Sequence, residues 1–253
     1  MGKQGWRVVV AGGAAAVFTA VAAAPAGAAE GGVSFTRVQV NGGKPIVIGV
    51  SEVAVPASFR MATTHKWQWP AVFLYRDGAD DRLWHAIETS DCITVSSGVC
   101  DFNETMYFDP SVWDMRNSEA GSWKVGAEVS FKGGGGDTDD KGLTVQVKRN
   151  SRLTVNASPE PVSKDRTITV TGKVTRANWE TKKYASYGGR LVNLQFKPAG
   201  TASYTTVKKV YANASGDLRT TVKASKTGTW RWLYHGNATT GPSTSSGDNV
   251  VVK

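Results

Sequence analysis

The chain has 253 residues, of which 40% are hydrophobic, with 30 Lys and Arg against 21 Asp and Glu and a formal net charge of +9. That apolar share excludes a wholly disordered chain, and the length suits one large domain or two small ones. Two Cys exclude a disulfide-dense miniprotein and a four-Cys zinc site, and three His argue against a His-rich metal enzyme.

Residues 1–29 are expected to be a cleaved signal peptide. Lys3 and Arg7 form a positive start, Val8 to Ala24 is uncharged and apolar, and Pro25 precedes the small-residue site Ala26-Gly27-Ala28. The run is short and weakly apolar for a membrane span, and no later stretch approaches the ~18 apolar residues a span needs. The mature chain is expected to be soluble and exported, with no lipid-bearing Cys after the cleavage site.

Beyond residue 30, short alternating runs follow one another, separated by Gly, Pro, Asn, Asp and Ser. Strands are expected at Val33–Val40, Ile46–Val50, Glu52–Ala62, Ala71–Arg76, Cys92–Val95, Thr105–Phe108, Trp123–Phe131 and Leu143–Lys148. Val125, Ala127, Val129 and Phe131 alternate with Gly126, Glu128 and Ser130, the pattern of a half-buried strand. Further on, strands are expected at Arg152–Ala157, Thr167–Thr175, Arg190–Lys197, Tyr204–Tyr211, Asp217–Ala224, Thr229–His235 and Asn249–Val252. Asn213-Ala214-Ser215-Gly216 reads as a hairpin turn.

This density of short strands predicts an all-β protein of two tandem antiparallel β-sandwich domains, 30–150 and 151–253, with a single long sandwich as the alternative. No Pro/Gly/Ser-rich linker separates them around Lys148-Arg149-Asn150-Ser151, so a semi-rigid tandem is expected. The charge divides at the same place. Residues 30–150 hold 12 basic and 16 acidic side chains, a net −4, while residues 151–253 hold 16 and 5, a net +11.

Arg152-Leu153-Thr154-Val155-Asn156-Ala157-Ser158-Pro159-Glu160-Pro161 and Thr167-Ile168-Thr169-Val170-Thr171-Gly172-Lys173 resemble the Ig-like domains of secreted actinobacterial, Streptomyces-type proteins. So do Arg176-Ala177-Asn178-Trp179, Val192-Asn193-Leu194-Gln195-Phe196, Tyr204-Thr205-Thr206-Val207 and Gly228-Thr229-Trp230-Arg231-Trp232. Upstream, the Cys92/Cys100 loop and Ala120-Gly121-Ser122-Trp123-Lys124-Val125 are similar to the domain that precedes it in some of those proteins. The resemblance implies an Ig-like sandwich in a secreted or cell-surface setting, and no activity. The antibody pattern of an inter-sheet Cys pair is missing, because both Cys lie in one short loop.

Cys92 and Cys100 enclose seven residues, and in an oxidising compartment they are expected to pair. Closing so short a loop stabilises by roughly 2–3 kcal/mol in the chain-entropy model. A redox-active pair would need a C-x-x-C spacing, which the chain lacks. His65, His85 and His235 are isolated in sequence, and there is no G-x-S-x-G, H-E-x-x-H or Walker loop, so no catalytic residue is nominated.

Gly133-Gly134-Gly135-Gly136-Asp137-Thr138-Asp139-Asp140-Lys141-Gly142 reads as a solvated hairpin tip, or as a Ca²⁺ site using Asp137, Asp139 and Asp140. It is not an EF-hand, since Lys141 and Lys148 stand where oxygen donors belong. Asp77, Asp80 and Asp81 could join Asp109, Asp114 and Glu119 in an acidic end, or be exposed turn residues.

Trp123 and Trp230 are expected in the core, with Trp232 on the same strand face as Trp230. Trp67 and Trp69 fall in an expected loop, where they cap the core or present two rings to a sugar or a protein. Lys182-Lys183 and Lys208-Lys209, with Arg166, Lys173 and Arg176, are candidates for a positive face. Such a face attracts teichoic-acid-like polymers, acidic polysaccharide, anionic lipid or released DNA. No element for sequence-specific nucleic-acid reading is present.

The sequence is therefore read as a secreted, non-enzymatic binding or adhesion protein of the cell envelope. Its basic domain would contact polyanionic wall material and its acidic domain a glycan or protein partner. The alternatives are an extracellular Ca²⁺-binding protein and a hydrolase of unrecognised type.

Overall fold

The computed structural model describes residues 32–76, 84–88, 91–112 and 115–253. The expected signal peptide, Asp77, Asp80, Asp81 and Asp114 lie outside these residues. Strands β1 (Val33–Val40), β2 (Ile46–Ile48), β3 (Val53–Thr63), β4 (Trp67–Tyr75), β5 (Trp84–Glu88), β6 (Ile93–Ser96), β7 (Val99–Phe108), β8 (Gly121–Phe131) and β9 (Gly136–Arg149) build the N-terminal part. They form one sheet in the order β1-β3-β7-β6 and a second in the order β2-β9-β8-β4-β5. All neighbours are antiparallel except β2 and β9, which run parallel. With β1 as strand A, this is the A-B-E-D sheet of an immunoglobulin domain facing its G-F-C sheet.

The core between these sheets follows from alternation. Val33, Phe35, Phe59, Met61, Phe102, Met106, Trp123, Val125 and Val129 are buried, each flanked along its strand by more exposed residues at most positions. Phe59 stacks on Phe102 with ring centroids 4.8 Å apart. Cys92 and Cys100 are disulfide-bonded and tie the edge strand β6 to β7.

The C-terminal part contains β10 (Ser151–Leu153), β11 (Asn156–Ser158), β12 (Arg166–Asn178), β13 (Lys183–Ser186), β14 (Leu191–Pro198), β15 (Thr205–Tyr211), β16 (Asp217–Ala224), β17 (Gly228–Tyr234), β18 (Ser243–Thr244) and β19 (Asp248–Val250). In one sheet β12 pairs with β10, β11, β13 and β16, and in the other β15-β14-β17 continues into β18 and β19. This is an A-B-E sheet over a C′-C-F-G sheet, again an Ig-like order. Ile168, Val170, Val174, Val192, Leu194, Trp230 and Trp232 fill the space between them.

Several expectations need correction. The run Arg152–Ala157 is two short strands, β10 and β11, each on its own stretch of β12. Asn213–Gly216 is a turn but not a hairpin, because β15 pairs with β14 while β16 crosses to β12 in the opposite sheet. Gly216 has φ 79°, and a Cβ there would meet the Val174 carbonyl, so only glycine fits this crossing.

β9 ends at Arg149 and β10 begins at Ser151, and the junction between them is built rather than loose. Trp179, from the C-terminal part, is 0% exposed and belongs to the N-terminal hydrophobic core. Its indole N–H donates to the Ile48 carbonyl at 3.2 Å, and its backbone N–H donates to Asn117 Oδ1 at 3.1 Å. Asn117 also donates through its side chain to Glu180 at 2.7 Å. Arg149 is buried and donates to the Ala177 carbonyl at 2.6 Å. Burial first, then the neighbouring Arg176, push its guanidinium down to about 10. No helix among the described residues is long and apolar enough to cross a membrane.

Candidate functional site

Trp67 and Trp69 do not lie in a loop. Both belong to β4, paired with Phe131 and Ser130 across a bulge at Gln68. The bulge adds a residue and so changes which side each ring faces. Trp67 turns to the core and meets Phe102 edge-on, with centroids 5.6 Å apart. Trp69 is 49% exposed. With His65, Lys66, Gln68 and Lys132 the two rings border an open recess at the end of the sandwich, where His65 stacks on Phe131 at 4.8 Å. One exposed ring, not two, is offered there.

The aspartates likewise sit on a strand. The hairpin tip is Lys132–Gly135, whereas Asp137, Asp139 and Asp140 are inside β9, opposite Val129, Ala127 and Gly126. Asp137 and Asp139 alternate onto one side of the strand and Asp140 onto the other. Asp140 is held below the usual carboxylate range by the Tyr75 hydroxyl and the Gly142 N–H. Among the described residues, no three His, Cys, Asp or Glu side chains come together as a metal site. Of the acidic end proposed from the sequence, Glu119 is buried and accepts the Arg116 N–H at 2.8 Å. Asp109 caps its own turn through the Ser111 N–H and hydroxyl, at 2.8 and 2.6 Å.

The four nominated lysines also separate. Lys182, at φ 58°, reaches across the junction and donates to the Ser111 carbonyl at 3.0 Å. Lys183 starts β13 and is exposed. Lys208 and Lys209 are adjacent on the edge strand β15 and therefore point to opposite sides. Lys208 is opposite buried Leu194, while Lys209 is opposite Asn193 on the outer face. Lys173 pairs with Asp217 at 3.1 Å, and Arg176 lies 4.1 Å over the Tyr187 ring near the junction. Of the residues nominated for a positive face, Lys173, Arg176 and Lys182 are thus engaged with separate partners, and Lys208 and Lys209 lie on another sheet.

A different basic face does form. Alternation turns Leu191, Asn193, Gln195 and Lys197 of β14 outward, with Thr229, Arg231 and Leu233 of β17 beside them. Gln195 is opposite Arg231 on one side and Thr206 on the other. Arg231 donates from Nε to Gln195 Oε1 at 2.9 Å and stacks 3.6 Å over the Tyr204 ring. Lys197 lies 5.2 Å from the same ring. Asn193 and His235 meet at 3.0 Å, beside Lys209. Leu191 and Tyr211, the latter 69% exposed, close one end. Strands β14, β15 and β17 contain no Asp or Glu.

Sequence reasoning missed Lys197, Tyr204 and Arg231 because they stand apart in the chain. The available signal was parity: Arg231 between Trp230 and Trp232 must point away from the core those two rings fill.

No family model matches the chain, and no curated protein is similar to it. Among solved structures it is similar to a 1.5-MDa bacterial ice-binding adhesin, at 14% identity and a TM-score of 0.27, covering 86% of this chain and 64% of that one. It is similar to the D00-D0 domain of intimin at 13% identity and a TM-score of 0.29, covering 85% of this chain and 99% of that one. It is also similar to the three N-terminal domains of the bacteriophage RB49 highly immunogenic outer capsid protein, at 8% identity and a TM-score of 0.33, over 87% and 70% of the two chains. The chain thus spans less than two thirds of the solved adhesin chain it matches.

Proposed function

We propose that this chain is an exported, non-enzymatic binding protein of the cell envelope. Its C-terminal sandwich holds polyanionic wall material, and its N-terminal sandwich presents the end bearing Trp69 to a glycan or protein partner. The observation that carries this reading is the division of charge together with its placement. The C-terminal +11 includes an outer sheet face with Lys197, Lys209 and Arg231 and no acidic residue in β14, β15 or β17. Of the five acidic residues there, Glu180 is bonded at the junction, Asp217 faces Lys173, and Asp248 accepts the Ala157 N–H at 2.6 Å. Their charges are spent away from that face.

The disulfide, the tandem Ig-like architecture and the expected signal peptide support export. A field from exposed cations is screened by salt, over about 10 Å at 0.1 M. The protein is therefore expected to sediment with isolated cell walls at low ionic strength and to be released as salt is raised. Retention unaffected by salt, or no retention at all, overturns the electrostatic reading.

A further inference from the structure

We propose that the outer face of β15-β14-β17 is a binding site for a phosphodiester-linked envelope polymer, with Arg231 as its central contact. This inference rests on the envelope-binding reading and adds the face and the ligand chemistry.

Arg231 is the most constrained cation on that face. Gln195 is 8% exposed, and its amide oxygen is committed to Arg231 Nε. Its amide nitrogen lies 3.5 Å from Thr206 Oγ1 on the other side. The Tyr204 ring lies against the guanidinium plane at 3.6 Å. One edge and one face of the guanidinium are thus taken up, and both terminal nitrogens remain to donate. No carboxylate among the described residues pairs with them. A fork fixed in this way matches the two oxygens of a phosphate, and its ordering is complete before the ligand arrives.

The other cations are dispersed. Lys197 is two residues along β14 from Gln195, and Lys209 is across β15 in the row of Asn193 and Leu233. With strands ~4.8 Å apart and a rise of ~3.4 Å per residue, Lys197 stands roughly 8 Å and Lys209 roughly 12 Å from Arg231 along the sheet. Single charges spread at that spacing over a sheet face suit an extended chain with one negative charge per repeat. A compact multivalent anion would call for clustered cations instead. Tyr211 and Leu191 at one end supply apolar surface for the polyol or sugar between phosphates.

The test uses the mature full chain and a soluble poly(glycerol phosphate), with binding followed by calorimetry at low salt. Polygalacturonate, single-stranded DNA and phosphatidylglycerol vesicles are the competing probes. Arg231→Gln is expected to weaken poly(glycerol phosphate) binding about tenfold, the loss of one charge-assisted bidentate contact. Arg231→Lys, which keeps the charge and loses the fork, is expected to recover only part of it. Arg219→Gln with Lys223→Gln, on exposed β16 positions in the opposite sheet, is expected to leave binding unchanged. Thermal unfolding of each variant guards against a folding defect.

If Arg231→Gln binds as the parent does and the β16 variant loses affinity, the site is wrong while the envelope reading stands. If polygalacturonate, DNA or vesicles bind more tightly than poly(glycerol phosphate), the ligand class is wrong. If the parent binds neither walls nor any probe, both fall.

Discussion

The two sandwiches solve the same packing problem with different means. In the N-terminal one a disulfide clamps the edge strand β6, and a tryptophan from the neighbouring sandwich occupies part of the core. The C-terminal one contains neither Cys and buries its own Trp230 and Trp232 between its sheets. One carries −4 and the other +11, yet both have an Ig-like strand order. The difference teaches that charge is free to vary where alternation turns residues outward. Core completion is not free in that way. The N-terminal sandwich depends on Trp179, so its stability is tied to the C-terminal one.

The strongest way to break this comparison is Trp179→Ala. It removes a wholly buried ring and its hydrogen bond to the Ile48 carbonyl, and is expected to cost about 3–5 kcal/mol. In denaturant unfolding followed by fluorescence and circular dichroism, the parent is expected to show one coupled transition. The variant is expected to show two, with the N-terminal sandwich unfolding first. A single unshifted transition would show that the junction does not couple the sandwiches.

A smaller effect is expected from replacing both Cys92 and Cys100 with Ala. Opening this loop should cost about 2–3 kcal/mol, confined to the N-terminal sandwich. Combined with Trp179→Ala, the loss should fall on the same transition. A shift in the C-terminal transition instead would reverse the assignment.

The smallest effect concerns Asp101, which accepts two hydrogen bonds from Arg60 at 2.6 and 2.7 Å. The hydrogen bond from Arg60 holds its carboxyl below the usual carboxylate range. A depressed folded-state pKa contributes stability that is present above the unfolded value and is lost as pH falls through the folded one. Asp101→Asn is therefore expected to lower stability slightly at neutral pH and to flatten the acid limb of the pH–stability curve. The pair is exposed enough for solvent to screen it, so an acid limb unchanged by the substitution would assign acid sensitivity to other carboxylates.

Much of this molecule is written in its alternation. Val33–Val40 is a strand with those bounds, and Val125, Ala127 and Val129 are buried as their spacing requires. Arg149, one residue past the expected end of its strand, continues the inward parity of Val145 and Val147 and is buried at the junction. Trp230 and Trp232 are core for the same reason, and the pairing of Cys92 with Cys100 follows from their being the only two.

Where the reading failed, the cause was a departure from simple period or a contact between distant elements. The bulge at Gln68 separated Trp67 from Trp69, and the crossing at Asn213–Gly216 looked locally like a hairpin. The sequence by itself determined that the chain would be β-rich, that its charge would divide near residue 150, and which side each residue of an unbulged strand would face. These follow from a side-chain period of two and from composition, which are local. Only the tertiary structure decided that Trp179 enters the other sandwich, and that Gln195, Tyr204 and Arg231 meet on one face. Strand order places those residues together, and it is fixed by how two sheets share a core, a non-local property that no single stretch of sequence contains.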